Sequence, residues 1–284
     1  MNRIFVVPNP NKDKELLITA SAVRRLIDNG ITVCMDSELS YIGVEGVSFT
    51  DGCPPDAHML LVVGGDGSYI DASVIALRYD IPILGINLGK VGYLAEVDPD
   101  RLDLLDRLAG KEYFIDEKLC LEISIIHKDG SCESVERLAV NDVVFSKSDA
   151  LCIAGIRLED KAKNSLKYRA DALIISTPQG STAYSLSAGG PIMAHGAHGI
   201  LVTPACPHSF FNRAVLFSPE ERLTISSYGD EELTVSLDGR RVHTLCAGGK
   251  CSVSASDRRL KSITFSRNSN FTNMFKKMKI LEDF

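Results

Sequence analysis

The spacing of apolar residues along the N-terminal part of the chain predicts alternating strands and helices. Short apolar runs indicate buried strands at 4–7, 31–35, 58–63 and 82–86. Apolar residues recur at helical spacing over 11–29, and Gly30 can end this helix because glycine readily takes positive φ. A second helix is predicted at roughly 68–79. Asp98-Pro99 resembles the start of a third helix. Strands that alternate with helices favour a parallel sheet covered on both faces.

Beyond Gly110 the pattern changes to short strands. Apolar and polar residues alternate over 118–125, a period of two that is typical of a half-buried antiparallel strand. Further strands are predicted at 142–146, 151–158, 172–176, 222–228, 233–237 and 262–266. We therefore predict an α/β N-terminal domain with a mostly parallel sheet (1–112) and an all-β C-terminal domain (113–266). Helical spacing in the tail, about 267–284, predicts a segment that packs back on the first domain.

Composition narrows the class of protein. The 284 residues are 45% hydrophobic and 24% charged, which is ordinary for a globular protein and excludes a wholly disordered or collagen-like chain. The net charge of −6 argues against a nucleic-acid partner. The apolar runs are far shorter than the ~18 residues needed to cross a bilayer, and none fits a signal peptide. Eight scattered cysteines without a Cys-x-x-Cys pair predict free thiols and a cytoplasmic location.

The first candidate for chemistry is the run Gly64-Gly65-Asp66-Gly67-Ser68, which follows a predicted strand and opens a predicted helix. Free N–H groups at a helix start bind anions, and glycines let a phosphate approach the main chain. The carboxylate of Asp66 is the informative feature, because it could hold Mg²⁺ or accept a proton from an attacking hydroxyl. The alternative is a tight turn in which Asp66 is a solvated helix cap.

The second candidate is the run from Thr177 to Pro191, which is rich in Ser, Thr and Gly and follows the strand predicted at 172–176. Such a segment offers neutral donors for sugar hydroxyls and phosphates, and Tyr184 offers a ring on which a base could stack. The alternative is a polar surface loop followed by a short capped helix.

Three weaker candidates complete the set. Asn87-Leu88-Gly89 follows a strand and should lie at the same sheet edge as Asp66. Asn141-Asp142 could bond to a ribose diol or an adenine edge, or form a turn. Arg169 and Asp171 could serve a ligand or form a surface ion pair. The His195/His198 and Cys246/Cys251 pairs lack further ligands, so no metal site is predicted from protein residues.

Taken in order, these segments resemble the NAD kinase family over nearly the whole chain. The glycine run alone is shared with diacylglycerol and sphingosine kinases and with phosphofructokinases, whereas the Thr177–Tyr184 run is much more specific. The resemblance implies phosphorylation of the adenosine 2′-hydroxyl of NAD by ATP, giving NADP. It also implies a divalent cation, expected to be Mg²⁺, and a homotetramer or homodimer, with no nucleic-acid or membrane partner.

The resemblance also implies roles for individual residues. Asp66 would activate the hydroxyl, beside a nucleotide held by Gly64, Gly65, Gly67 and Ser68. The residues implied in dinucleotide binding are Asn141, Asp142, Arg169, Asp171, Thr182, Ala183, Tyr184 and Ser187. The domain 1–112 would then be the nucleotide-binding domain, and 113–266 the dinucleotide-binding domain.

The chain departs from the family pattern at four positions. Ser68 stands where threonine is common, Asp142 where glutamate is usual, Gln179 where threonine or serine is common, and Arg240 where glutamine is common. The rival functions are a lipid or sugar kinase that shares only the glycine run, and a non-catalytic sensor of NAD. A lipid kinase should present a membrane-facing helix, for which the lysines at 276, 277 and 279 are the candidate.

Overall fold

A computed structural model describes residues 3–89, 92–127, 129–148, 153–194, 196–208, 211–229 and 231–266. The chain forms two compact units, one of Met1–Lys118 with Leu260–Phe284 and one of Leu119–Arg259. The strands in chain order are β1 (Arg3–Pro8), β2 (Thr32–Asp36), β3 (Val47–Thr50), β4 (Met59–Gly64), β5 (Ile83–Asn87), β6 (Phe114–Lys118), β7 (Leu121–Ile126), β8 (Cys132–Ser134), β9 (Asp142–Lys147), β10 (Ala154–Glu159), β11 (Ser165–Ala170), β12 (Ala172–Ser176), β13 (Ile200–Ala205), β14 (Val215–Phe217), β15 (Arg222–Ser227), β16 (Leu233–Leu237), β17 (Arg240–Leu245), β18 (Lys250–Ala255) and β19 (Leu260–Thr264).

Helices are few among the described residues. The α-helices are α1 (Leu17–Asp28), α2 (Asp66–Tyr79) and the single turn α3 (Tyr184–Ser187). Short 3-10 helices cover Lys14–Leu16, Ser37–Ile42, Leu102–Leu108 and Gln179–Thr182. No helix in the described ranges combines the length and the apolar character that crossing a bilayer requires.

The first unit is built on one seven-stranded sheet in the order β3-β2-β1-β4-β5-β19-β6. All neighbours pair in parallel except β19 and β6, which are antiparallel. Every residue of β4 and β5 is buried, as expected for parallel strands covered on both faces. One face packs against α1 and the Leu102–Leu108 helix, and α2 buries a row of five residues in this unit.

The second unit contains two six-stranded antiparallel sheets, in the orders β11-β10-β15-β18-β7-β8 and β14-β13-β12-β9-β16-β17. One apolar cluster draws side chains from both sheets, so the two sheets share a core. In β7 the residues Leu121, Ile123 and Ile125 are buried and alternate with partly exposed neighbours. The expected alternation is therefore observed, and the predicted pair of fold classes is confirmed.

The domain boundaries differ from the prediction. Strands β6 and β19, which were expected in the second domain, belong to the sheet of the first unit. Leu260 to Thr264 run antiparallel to 114–118, and Ser262 pairs with Ile83 of β5. The chain therefore returns to the first sheet after the second unit, which no local pattern reveals. The tail predicted to pack back, about 267–284, lies outside the described residues.

The first helix begins later than predicted. Glu15 and Leu16 have φ of 59° and 53°, a left-handed conformation that interrupts a right-handed helix. The carboxylate of Asp13 then accepts hydrogen bonds from the N–H groups of Ile18 (3.1 Å) and Thr19 (2.7 Å), so α1 starts at Leu17. The helix expected at Asp98-Pro99 is instead the 3-10 turn that begins at Leu102.

Candidate functional site

The glycine run lies where strand β4 ends and helix α2 begins, as the sequence predicts. Gly65 precedes the helix in an extended conformation, and Asp66 is the first helical residue. The Asp66 carboxylate does not cap the helix. Its oxygens accept hydrogen bonds from the backbone N–H groups of Tyr93 (3.1 Å) and Leu94 (3.0 Å), so the turn after β5 is tied to the start of α2. The carboxylate is half-buried and keeps lone pairs for a further partner.

The three glycines of this turn have different reasons to lack a side chain. A Cβ on Gly64 would lie 2.6 Å from Ser68 Cβ and Oγ, and one on Gly65 would collide with Lys12 Nζ. A Cβ on Gly67 would meet nothing within 4 Å, and Gly67 has no positive φ. Packing therefore explains Gly64, whereas a side chain at Gly65 would meet only the movable end of Lys12, and packing leaves the glycine at position 67 unexplained.

The loops after β1 and β5 meet the glycine turn. Asn9 donates from Nδ2 to Ser68 Oγ (2.7 Å), and Leu88 donates its N–H to the Gly64 carbonyl (2.6 Å). The Asn87 side chain accepts the N–H of Gly89 at 2.8 Å. The position expected for the Asn87 turn, at the same sheet edge as Asp66, is therefore observed.

In the second unit, Asn141 and Asp142 are held by an aspartate that was not among the predicted site residues. The carboxylate of Asp238 accepts the N–H groups of Val140 (2.9 Å), Asn141 (2.7 Å) and Asp142 (3.1 Å). Asp238 itself has φ of 49°, in the left-handed region. The Asp-Gly pair at 238–239 indicates a turn, but it does not indicate that the carboxylate bonds to residues 140–142.

The run that begins at Thr177 is hydrogen-bonded to the same backbone segment, at Val140. Thr177 and Gln179 both donate to the Val140 carbonyl, at 2.7 and 2.6 Å. A Cβ on Gly180 would collide with the Asn141 carbonyl oxygen, so only glycine fits there. Gln179, which departs from the family pattern, therefore acts in this protein as a donor to the backbone.

Most hydroxyls of this run are used internally, which differs from the expected surface rich in free donors. Ser181 donates to the Pro178 carbonyl (2.6 Å), and Ser185 shares a hydrogen bond with Thr203 (2.8 Å). The Thr182 hydroxyl donates to the Gln179 carbonyl at 2.9 Å. Ala183 is partly exposed, Ser187 is exposed, and Tyr184 keeps 47% of its surface accessible.

Asp142 carries an unusual ionisation. The residue is only 5% exposed. Burial, and next the charge of Asp238, raises the pKa of Asp142 to about 7. Burial also raises the pKa of Asp238, although its three N–H partners oppose that shift. Near neutral pH, Asp142 can therefore either donate or accept a hydrogen bond.

Arg169 and Asp171 lie apart from Asp142. Asp142 pairs with Ser176 at one end of β9 and β12, whereas Asp171 forms an ion pair with Lys147 (2.7 Å) at the other end. Lys147 is five positions along the extended strand from Asp142, or roughly 17 Å away. The Lys147 hydrogen bond lowers the pKa of Asp171. Asp171 is therefore paired with Lys147, and Arg169 is an exposed residue of strand β11.

Metal ligands do not cluster in the described ranges. No group of three or more His, Cys, Asp or Glu side chains there is placed to hold an ion. Cys246 is exposed and Cys251 is buried, and His195 lies outside the described residues.

Two protein-family models match the chain. The ATP-NAD kinase N-terminal domain matches residues 4–113, and the ATP-NAD kinase C-terminal domain matches residues 140–265. The chain belongs to the NAD kinase family. An NAD kinase from Lachnoclostridium phytofermentans is 33% identical over 279 residues, covering 95% of this chain and 96% of that protein. Another, from Caldanaerobacter subterraneus subsp. tengcongensis, is 34% identical over 247 residues, covering 85% and 86%.

Solved structures share the fold. A crystal structure of yeast NADH kinase complexed with NADH aligns with a TM-score of 0.86 at 19% identity, covering 100% of this chain and 89% of that one. An NAD kinase from Archaeoglobus fulgidus in complex with ATP aligns with a TM-score of 0.72 at 20% identity, covering 99% and 100%. The fold class and the family resemblance predicted from the sequence are thereby confirmed.

The glycine turn of this NAD kinase family member generates a first prediction. Gly64→Ala should destabilise the protein by about 1–3 kcal/mol, because its Cβ would overlap Ser68. Gly67→Ala is the matched control, and it should leave stability unchanged or raise it by up to about 1 kcal/mol. Urea unfolding of the two variants measures the difference. Equal destabilisation by both substitutions would show that crowding against Ser68 is not what requires glycine at position 64.

The raised pKa of Asp142 generates a second prediction. The folded protein holds this proton more tightly than the unfolded chain does, so its contribution to stability is fully present below about pH 4 and is lost as pH rises towards 7. In Asp142→Asn this position does not titrate, so the variant does not lose that contribution to stability as pH rises. Relative to the unsubstituted protein, it should gain on the order of 2 kcal/mol between about pH 5.5 and pH 8.5.

Urea unfolding at both pH values measures this gain. Asp257→Asn, at an exposed position of the same unit, is the control and should follow the unsubstituted protein. Parallel pH dependences for Asp142→Asn and the control would show that Asp142 is not protonated in the folded state.

Proposed function

We propose that this protein is an NAD kinase, which transfers the terminal phosphoryl group of ATP to the 2′-hydroxyl of the adenosine ribose of NAD and gives NADP and ADP. Family models that match both domains support this activity. The observation that carries the chemistry is the Asp66 carboxylate, fixed by two N–H groups at a glycine turn where a phosphate can approach the main chain.

The reaction needs little covalent participation by the protein. The ribose 2′-oxygen forms a bond to the γ-phosphorus, the bond from that phosphorus to the bridging oxygen breaks, and ADP leaves with the electron pair. The hydroxyl proton passes to Asp66 and then to solvent. Because positioning and charge neutralisation dominate phosphoryl transfer, part of the role of Asp66 is to orient the hydroxyl as its proton is lost.

The triphosphate would bind at the start of α2. The backbone N–H groups of Gly65, Gly67 and Ser68 lie at the positive end of this 14-residue helix. Gly64 lies in the same turn, and a side chain at this position would collide with Ser68. The missing side chain of Gly67, which packing does not explain, would let a phosphate reach the main chain.

A divalent cation, Mg²⁺, is part of this proposal. The described residues offer no cage of three ligands, and this fits an ion held mostly by substrate phosphates with one or two carboxylates. The ion would neutralise charge on the phosphates.

The second unit would bind the dinucleotide. Asn141 and Asp142 have a clamped backbone, so their side chains are presented in a fixed geometry. The exposed ring of Tyr184 can stack on a base, beside Thr182, Ala183 and Ser187. Arg169 and Asp171 remain predicted contacts, and their distance from Asp142 means that they would meet a different part of a ligand.

We also propose a homodimer or homotetramer in the cytoplasm, with the first unit as the nucleotide-binding domain and the second as the dinucleotide-binding domain. The family resemblance supports the assembly and the domain roles. The unpaired cysteines of the described residues support a reducing compartment.

The rival functions are less well supported. A lipid or sugar kinase that shares only the glycine run would not explain a family match over residues 140–265. A sensor of NAD gains nothing from a carboxylate fixed at a phosphate-binding turn. The lysines at 276, 277 and 279 lie outside the described residues.

Asp66→Asn tests the central assignment. NADP formation from ATP, Mg²⁺ and NAD should fall about 10²–10⁴-fold in kcat, because the amide cannot accept the proton. Dissociation constants for NAD should change only a few-fold. Asp28→Asn, at an exposed end of α1, is the matched control and should keep full turnover. Near-normal kcat in Asp66→Asn would reject the role of this carboxylate.

Gly67→Ala gives a separate test of the phosphate site. Its added methyl group would stand between the main chain and a phosphate, so ATP should bind at least about tenfold more weakly although the fold is intact. Calorimetric titration with Mg-ATP measures this. An unchanged ATP affinity would place the triphosphate elsewhere.

A further inference from the structure

Lys12, which was not among the predicted site residues, lies in the loop that follows β1. This loop is fixed against the end of β4. Asn9 donates its N–H to the Val63 carbonyl (2.8 Å), and its own carbonyl accepts the N–H groups of Lys12 and Asp13 (both 2.9 Å). The bond from Asn9 Nδ2 to Ser68 adds a side-chain link to the glycine turn. The backbone of Lys12 therefore has a defined place beside that turn.

The ammonium group of Lys12 lies over the glycines. A Cβ on Gly65 would collide with Lys12 Nζ, and a Cβ on Gly89 would lie 3.8 Å from it. The side chain thus occupies space that two glycines leave open, next to the N-terminus of α2.

This ammonium group has no counter-ion in the described part of the chain. No ion pair joins it to a carboxylate there. The neighbouring Asp13 is only 4% exposed, and its oxygens accept the N–H groups at the start of α1 and the Thr19 hydroxyl. The Asp66 oxygens accept N–H groups from Tyr93 and Leu94 instead.

Positive charge therefore accumulates at one place. A lysine ammonium group and the positive end of α2 lie together, beside the exposed main chain of Gly67. The Asp66 carboxylate at the first position of α2 offsets part of this charge, and a bound anion would offset the rest. The lysine and the backbone together match a ligand with several negative oxygens.

The sheet topology points to the same place. In the order β3-β2-β1-β4-β5, the strand order reverses between β1 and β4. In open parallel sheets, ligands bind outside the carboxyl ends of the strands at this switch point. The loops that leave β1 and β4 there are the ones that carry Lys12 and Asp66.

We propose that Lys12 Nζ binds the β- and γ-phosphate oxygens of ATP at the glycine turn and neutralises the charge that develops there during transfer. This inference rests on the proposed function, because it takes ATP as the phosphoryl donor. Lys12 acts as a point charge, so it contributes both to ATP binding and to the transfer step. It makes no contact with the dinucleotide.

Lys12→Met, Lys12→Arg and Lys14→Met test the proposal. Lys14 is an exposed lysine two positions further along, at the start of the Lys14–Leu16 3-10 helix, so its loss makes the same change in net charge. Lys12→Met should weaken binding of Mg-ATP by about 10- to 100-fold and should also lower kcat. Lys12→Arg should restore most of the ATP affinity, and Lys14→Met should match the unsubstituted protein. The affinity for AMP and for NAD should stay the same in all three variants.

Calorimetry with Mg-ATP, a non-hydrolysable ATP analogue, AMP and NAD provides the binding constants, and NADP formation provides kcat and KM. Equal ATP affinity in Lys12→Met and Lys14→Met would overturn the proposal, as would a loss confined to NAD. If the unsubstituted protein forms no NADP, the proposed function fails. The analogue titration still decides whether Lys12 binds a triphosphate.

Discussion

Carboxylates that accept hydrogen bonds from the main chain fix both candidate sites. In the first unit Asp66 accepts two N–H groups from the turn after β5, and in the second unit Asp238 accepts three in a row. Hydrogen bonds to an ionised acceptor are roughly twice as strong as neutral ones. Because the donors are backbone groups, the geometry depends on the path of the chain more than on any second side chain.

The two carboxylates have different consequences for the groups around them. Asp66 is half-buried and keeps lone pairs towards a glycine turn, so it can still act on a ligand. The Asp238 carboxylate accepts hydrogen bonds from the segment 140–142. After burial, its charge is the second cause that raises the pKa of the neighbouring Asp142. One aspartate thus keeps free acceptor capacity, while the other fixes the backbone of residues 140–142.

Local patterns were sufficient where an element carries its own signal. The strand predicted at 172–176 and the one at 233–237 have the bounds seen in the structure, and β4 differs by one residue at each end. The glycine run was predicted as a strand-to-helix turn, and it is one. Other strands were missed, including β13, which carries an apolar run of its own at 200–202. The strands missed altogether are β3, β6, β8, β11, β13, β14, β17 and β18.

The sequence by itself determined the two fold classes, the glycine turn with its acid, and the family to which the chain belongs. Each of these features is indicated by short runs of particular residue types, such as an apolar run followed by glycines. The tertiary structure decided which groups those residues meet. Asp66 bonds to residues 27 and 28 positions away, and Asp238 bonds across 96 to 98 positions. The tertiary structure also places β19 in the first sheet. It pairs the hydroxyls of Ser181 and Ser185 with other groups of the protein. The partner of a polar group is set by strand register and by distant returns of the chain, and neither leaves a pattern in the residues nearby.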